Sequence, residues 1–125
     1  MSKKELFKRI NALCEELNYK YNINCGGCCF VAYCLVEQLE IYNIPFTIIK
    51  YGRDRHYSIK VSDRYLNRDY YRKEEIRDYL TTWNSKDLLD YYHNNYWNRS
   101  YETKYNGCVK KYIKAVFDKY GNNRT

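Results

Sequence analysis

Asn24-Cys25-Gly26-Gly27-Cys28-Cys29-Phe30-Val31-Ala32-Tyr33-Cys34-Leu35-Val36 is the stretch on which the fold turns. Turn-forming residues from Asn22 to Gly27 interrupt the chain. From Cys28 to Ile41 it is then apolar on most sides, through Phe30, Val31, Ala32, Leu35, Val36 and Leu39. A helix with apolar residues all round has to be buried, so this segment is expected to lie at the centre of the domain. The cover must come from its neighbours.

On the N-terminal side, from about Ser2 to Asn18, Leu6, Phe7, Ile10, Leu13, Cys14 and Leu17 recur at spacings of three and four, with Lys, Glu and Asn opposite. That periodicity predicts an amphipathic helix. On the other side Tyr42-Asn43-Ile44-Pro45 ends the buried helix, because proline disfavours a helical residue before it and has no amide hydrogen. Strands follow. Phe46 to Tyr51 is rich in β-branched and aromatic residues, Gly52 to Arg55 reads as a turn, His56 to Val61 alternates, and Tyr65 to Asn67 begins a third strand after the polar turn Ser62-Asp63. Beyond Arg72 helices are expected at Lys73 to Leu80, at Ser85 to Tyr92 with Ser85 as cap, and at Gly107 to Tyr120. In the last of these, Val109, Tyr112, Ile113, Val116 and Phe117 form the apolar stripe. The expected fold class is therefore α+β: N-terminal helices packed on a small antiparallel sheet, then C-terminal helices. With 125 residues the chain suits a single domain, 1–120, followed by a frayed tail at 121–125.

Composition narrows the function classes. The formal charge of +7 and the 17 tyrosines would suit an anionic or stacking partner such as nucleic acid, an acidic protein or a membrane surface. Lys and Arg are, however, mixed with Asp and Glu along the whole length, with no block of like charge, as on a solvated surface. No stretch approaches the roughly twenty apolar residues of a membrane span. The start MSKKELFKRI lacks the apolar run of a secretory signal, so a reducing, cytoplasmic setting is expected for the six cysteines, Cys14, Cys25, Cys28, Cys29, Cys34 and Cys108. The frequency of Asn, Lys, Tyr and Ile suggests an AT-rich genome, such as that of a phage acting in its host cell.

In such a setting, clustered cysteines point to metal binding, catalysis or small buried groups rather than to bridges. Cys28 opens the buried helix after two glycines. There it faces unpaired backbone amides and the positive end of the helix dipole, which favour the thiolate. The glycines let the backbone approach a substrate carbonyl, and the Cys28 amide is a natural donor to an oxyanion. The thiol needs a base. Of two histidines, His56 opens a strand just after a turn, whereas His93 lies in the polar run Tyr92-His93-Asn94-Asn95 and reads as a surface residue. A third group should accept from the other ring nitrogen, and Asn67 and Asp69 are the candidates, since the turn at Ser62-Asp63 returns the next strand alongside His56.

Cys25-Gly26-Gly27-Cys28-Cys29-Phe30-Val31-Ala32, followed by Leu35-Val36-Glu37, resembles the nucleophile motif of papain-like cysteine peptidases, which read Cys-Gly-Ser-Cys-Trp and continue as a buried helix. His56 at a strand start, a short turn and Tyr65-Leu66-Asn67 are similar to the family's His-strand-turn-Asn/Asp order. The resemblance implies Cys28 as nucleophile, His56 as base and Asn67 as orienting residue. It also implies an upstream amide side chain completing the oxyanion hole, for which Asn22 or Asn24 stands where papain relatives use Gln. Cys29 replaces the family's Trp, and the match spans only Asn22 to about Asp69. In size the chain is nearer to small NlpC/P60-like and transglutaminase-like domains. Those include peptidases, amidases, acyltransferases and inactive relatives. The activity implied is hydrolysis of a peptide, isopeptide or amide bond in a protein or peptide substrate, with no cofactor.

Two other readings compete. Cys25-x2-Cys28, with Cys29 nearby and His56 or Cys108 to complete a tetrahedron, has zinc-ligand spacing, although no second matched pair of ligands follows. The aromatic run from Tyr91 to Tyr105, with Arg99 and Lys104, has the composition of a basic module that binds protein or nucleic acid. Cys29 and Cys34, on the buried helix, are expected in the core.

Overall fold

The first amphipathic segment forms α1, Lys3–Tyr21, in a computed structural model that describes residues 1–21, 23, 28–51, 56–67, 80–94 and 106–122. Ser2 starts the helix, its Oγ accepting from the Glu5 amide at 3.1 Å. Leu6, Phe7, Ile10, Cys14 and Leu17 are the buried stripe. The following helix, α2, runs over Cys28–Ile41 and buries Phe30, Val31, Ala32, Leu35 and Leu39 almost completely. Its end has a local cause. Asn43 adopts the left-handed region at φ 55°, the Ile44 amide donates to the Leu39 carbonyl at 2.9 Å, and the Asn43 amide donates to that of Glu40 at 3.1 Å. This is a Schellman motif closed by the two buried side chains Ile44 and Leu39, and Pro45 then blocks any continuation.

Four strands follow among the described residues: β1 Thr47–Tyr51, β2 His56–Val61, β3 Arg64–Leu66 and β4 Leu80–Trp83. They form one antiparallel sheet in the order β3-β2-β1-β4. The two-residue turn Ser62-Asp63 joins β2 to β3, with Ser62 in the left-handed region at φ 58°. Cross-strand partners Ile48, Ile59 and Leu66 share one face with Tyr57 and Val61, and all five join the core with α1 and α2. The opposite face carries His56 and Ser58, both buried, together with Ile49 and Tyr65, which pack on each other.

The strand β4 corrects the sequence reading, which ended a helix at Leu80. Leu80-Thr81-Thr82-Trp83 is β-branched and aromatic but too short to declare itself, and it becomes a strand by pairing with β1, Ile48 opposite Trp83. The rest of that expected helix, 73–79, lies outside the described residues. Helix α3, Ser85–Asn94, is capped by Asn84 rather than Ser85. The Asp87 amide donates to Asn84 Oδ1 at 2.8 Å, and the Asn84 amide donates back to Asp87 Oδ2 at 3.0 Å. That reciprocal pair is a capping box, and it selects the residue one position upstream. The C-terminal helix begins as a π-helical turn, Asn106–Lys110, before α4, Lys111–Asn122, so regular structure continues through Gly121 and Asn122. Val109, Ile113, Phe117 and Tyr120 bury its stripe against α1 and α2, while Tyr112 stays half exposed. Helix α2 thus packs against β2, α3 and α4, and Tyr33 stacks on Tyr92 of α3 at 4.2 Å between ring centroids. No described helix is long and apolar enough to cross a membrane.

Candidate functional site

Cys28 is the first residue of α2, the position at which backbone amides lack intrahelical acceptors. Its side chain, and the whole of Asn22, Asn24, Cys25 and Asp69, lie outside the described residues. His56 is the first residue of β2 and is 3 % exposed. Its Nε2 lies 2.7 Å from the main-chain carbonyl oxygen of Asn67. A carbonyl can only accept, so Nε2 carries the hydrogen, and in the neutral ring Nδ1 is then the basic nitrogen. Asn67 follows β3, is itself buried, and takes the left-handed region at φ 57°. Asparagine tolerates that region better than most residues, and the conformation bends the chain out of β3 next to His56.

Sequence reasoning did not single out Asn11, which completes this arrangement. From the middle of α1 its Nδ2 donates to the Tyr65 carbonyl at 2.9 Å, and its Oδ1 accepts from the Asn67 amide at 2.9 Å. The only hint in the sequence was a poor helix former at the border of an apolar stripe, between Ile10 and Leu13. Its partners lie 54 and 56 residues away, beyond the reach of any periodicity.

Alternation along β2 sets a condition on any chemistry joining His56 to Cys28. Tyr57 and Ile59 face the core shared with α2, and His56 is on the other face.

The remaining cysteines and the second histidine fall into place around this frame. Cys29 and Cys34 are in the core, as expected from their helix positions. Cys14, 2 % exposed on α1, is a thiol pushed up to about 12 by burial. Cys108 sits beside Tyr21, whose phenol is held above its ordinary value first by hydrogen bonding to that thiol and then by its charge. His93 is exposed on α3, edge-on to Tyr92. Of the aromatic run at 91–105, residues 95–105 lie outside the described residues. Tyr92 is buried, and Tyr91 packs on Tyr57 and Trp83. Among the described residues no three His, Cys, Asp or Glu side chains group as metal ligands. A groove of about 150 Å³ lined by Tyr33, Val36, Glu37, Glu40, Ser85, Leu88 and Leu89 opens between α2 and α3. It lies along the C-terminal half of α2, more than a helical turn from Cys28, and is not part of this centre. No family model, curated protein or solved structure matches this chain.

Proposed function

We propose that this chain is a small thiol hydrolase of papain-like chemistry, acting on a peptide, isopeptide or amide bond of a protein or peptide substrate. The observation that carries the reading is the His56 Nε2 hydrogen bond to the Asn67 carbonyl, which leaves Nδ1 as the basic nitrogen of the neutral ring. Nδ1 takes the Cys28 thiol proton, and the thiolate attacks the acyl carbon. The oxyanion is held by the Cys28 amide and by Asn22 or Asn24. The carbon–nitrogen bond then breaks, the leaving amine taking the proton from the imidazolium. Water, deprotonated by Nδ1, attacks the thioester. The acid leaves, and Cys28 recovers its proton.

A second reading is favoured by the strand register. With its ring on the face opposite Tyr57 and Ile59, His56 serves as a buried structural histidine tying β2 to the end of β3, in a catalytically inactive domain.

Site-resolved iodoacetamide labelling across pH, with and without His56→Ala, separates the two. The hydrolase labels at Cys28 as thiolate below neutral pH. Loss of His56 slows this by about thirtyfold at pH 7, the ratio between a full thiolate and a thiol of ordinary value near 8.5. Labelling of Cys28 at the rate of an ordinary exposed thiol, indifferent to His56, refutes the hydrolase and leaves the structural reading.

A further inference from the structure

We propose that Asn11 is the positioning residue of His56, setting its tautomer and the direction of its basic nitrogen from a helix that carries neither member of the candidate pair. One carboxamide bridges two main-chain groups separated by a single residue, the Tyr65 carbonyl and the Asn67 amide. Those partners settle which end of the amide is which. A carbonyl demands the Nδ2 donor and an amide demands the Oδ1 acceptor, so the flipped rotamer would set like against like at both ends.

The clamp acts at the point where the chain leaves β3. Leu66, between the clamped residues, is fully buried and paired with Ile59, so the segment is anchored on the core side as well. Asn67 is thereby held with φ at 57°, its amide turned to Asn11 and its carbonyl to His56 Nε2 at 2.7 Å. The order of dependence runs Asn11 to Asn67 to His56. Without the clamp, the Asn67 amide has to find another acceptor, and the residue relaxes toward the extended region that Leu66 occupies in β3. The carbonyl then turns from the ring, and nothing in this network fixes which nitrogen holds the hydrogen. Burial adds to the effect, because His56 and Asn67 are both at most 5 % exposed and water is a poor substitute there.

The consequence for Cys28 rests on the hydrolase reading; the statement about the ring does not. The test uses the full chain labelled with nitrogen-15 at histidine, with His93→Gln as background so that one imidazole is observed. Long-range proton–nitrogen spectra of Asn11, Asn11→Ala and Asn11→Asp forms report the tautomer directly. Expected is a single Nε2–H form with Asn11, a mixture of both tautomers in Asn11→Ala, and an intermediate in Asn11→Asp, which keeps only the bond from Asn67. A wild-type ring in the Nδ1–H form, or a spectrum unchanged in both variants, overturns the proposal. Should Asn11→Ala fail to fold, the Asp variant and the wild-type tautomer still decide it.

Alkylation in the same samples separates this from the function. If the hydrolase reading holds, Asn11→Ala slows Cys28 labelling at pH 6.5 by about tenfold, equivalent to about 1.4 kcal/mol. A tautomer that responds to Asn11 while Cys28 labels as an ordinary thiol throughout sustains the positioning role and removes the hydrolase.

Discussion

Alkaline pH tests how α1, and with it Asn11, is held against the core. Cys14 lies on the same helix, one turn after Asn11, and is buried as a neutral thiol whose ionisation moves from 9.0 to about 12. Because the folded value is the higher one, the stabilisation is complete below pH 9. It is lost as the pH rises towards 12, since the unfolded chain ionises first. At about 1.4 kcal/mol for each tenfold, the full effect is about 4 kcal/mol, of which about 2–3 kcal/mol is gone at pH 11. Tyrosines and lysines titrate in the same range, so the comparison is with Cys14→Ala. That variant lacks the thiol and gives up about 1 kcal/mol of packing. Urea unfolding under reductant from pH 8 to 11 should show the wild type more stable by about 1 kcal/mol at pH 8. At pH 11 it should be less stable by about 1–2 kcal/mol, the two curves crossing near pH 10. Parallel curves would mean that Cys14 meets solvent in the folded state, and the packing of α1 described above would be wrong.

Two further outcomes concern local structure. Asn84→Ala should cost about 1 kcal/mol in urea unfolding and Ser85→Ala less than about 0.5 kcal/mol, because the reciprocal bonds at the start of α3 belong to Asn84 and Asp87. The reverse order would put the cap back at Ser85. Asn67→Ala should lose about 1–2 kcal/mol and Asn67→Gly clearly less, since only the glycine adopts φ 57° without a Cβ penalty. Equal losses would show that the left-handed conformation is not what Asn67 contributes.

Elements whose causes are local could be read in advance. The bounds of α2 follow from an apolar run between the glycine pair of the sequence and Pro45, and β2 begins and ends where its alternation suggests. Elements that differ from the sequence expectation have non-local causes or depend on one hydrogen bond. Leu80–Trp83 is a strand because β1 offers an edge, and the cap of α3 moves by one residue because Asp87 reaches back to Asn84. Within the candidate site, Cys28 and His56 were legible as residue types at element starts. How His56 is held was not, because the group that meets its ring is a main-chain carbonyl, which every residue carries, and an Asn at a strand end does not announce an αL bend by itself.

By itself, then, the sequence determined the α+β class, the central buried helix, and the presence of a cysteine and a histidine at the starts of α2 and β2. Each follows from periodicity, turn chemistry or the functional groups present. Tertiary structure alone decided that Asn11 clamps Tyr65 and Asn67, that the Asn67 carbonyl faces the His56 ring, and that His56 lies on the sheet face away from Tyr57. Those relations join residues up to 56 positions apart, and they exist only once strand register and helix packing have brought them within hydrogen-bonding distance.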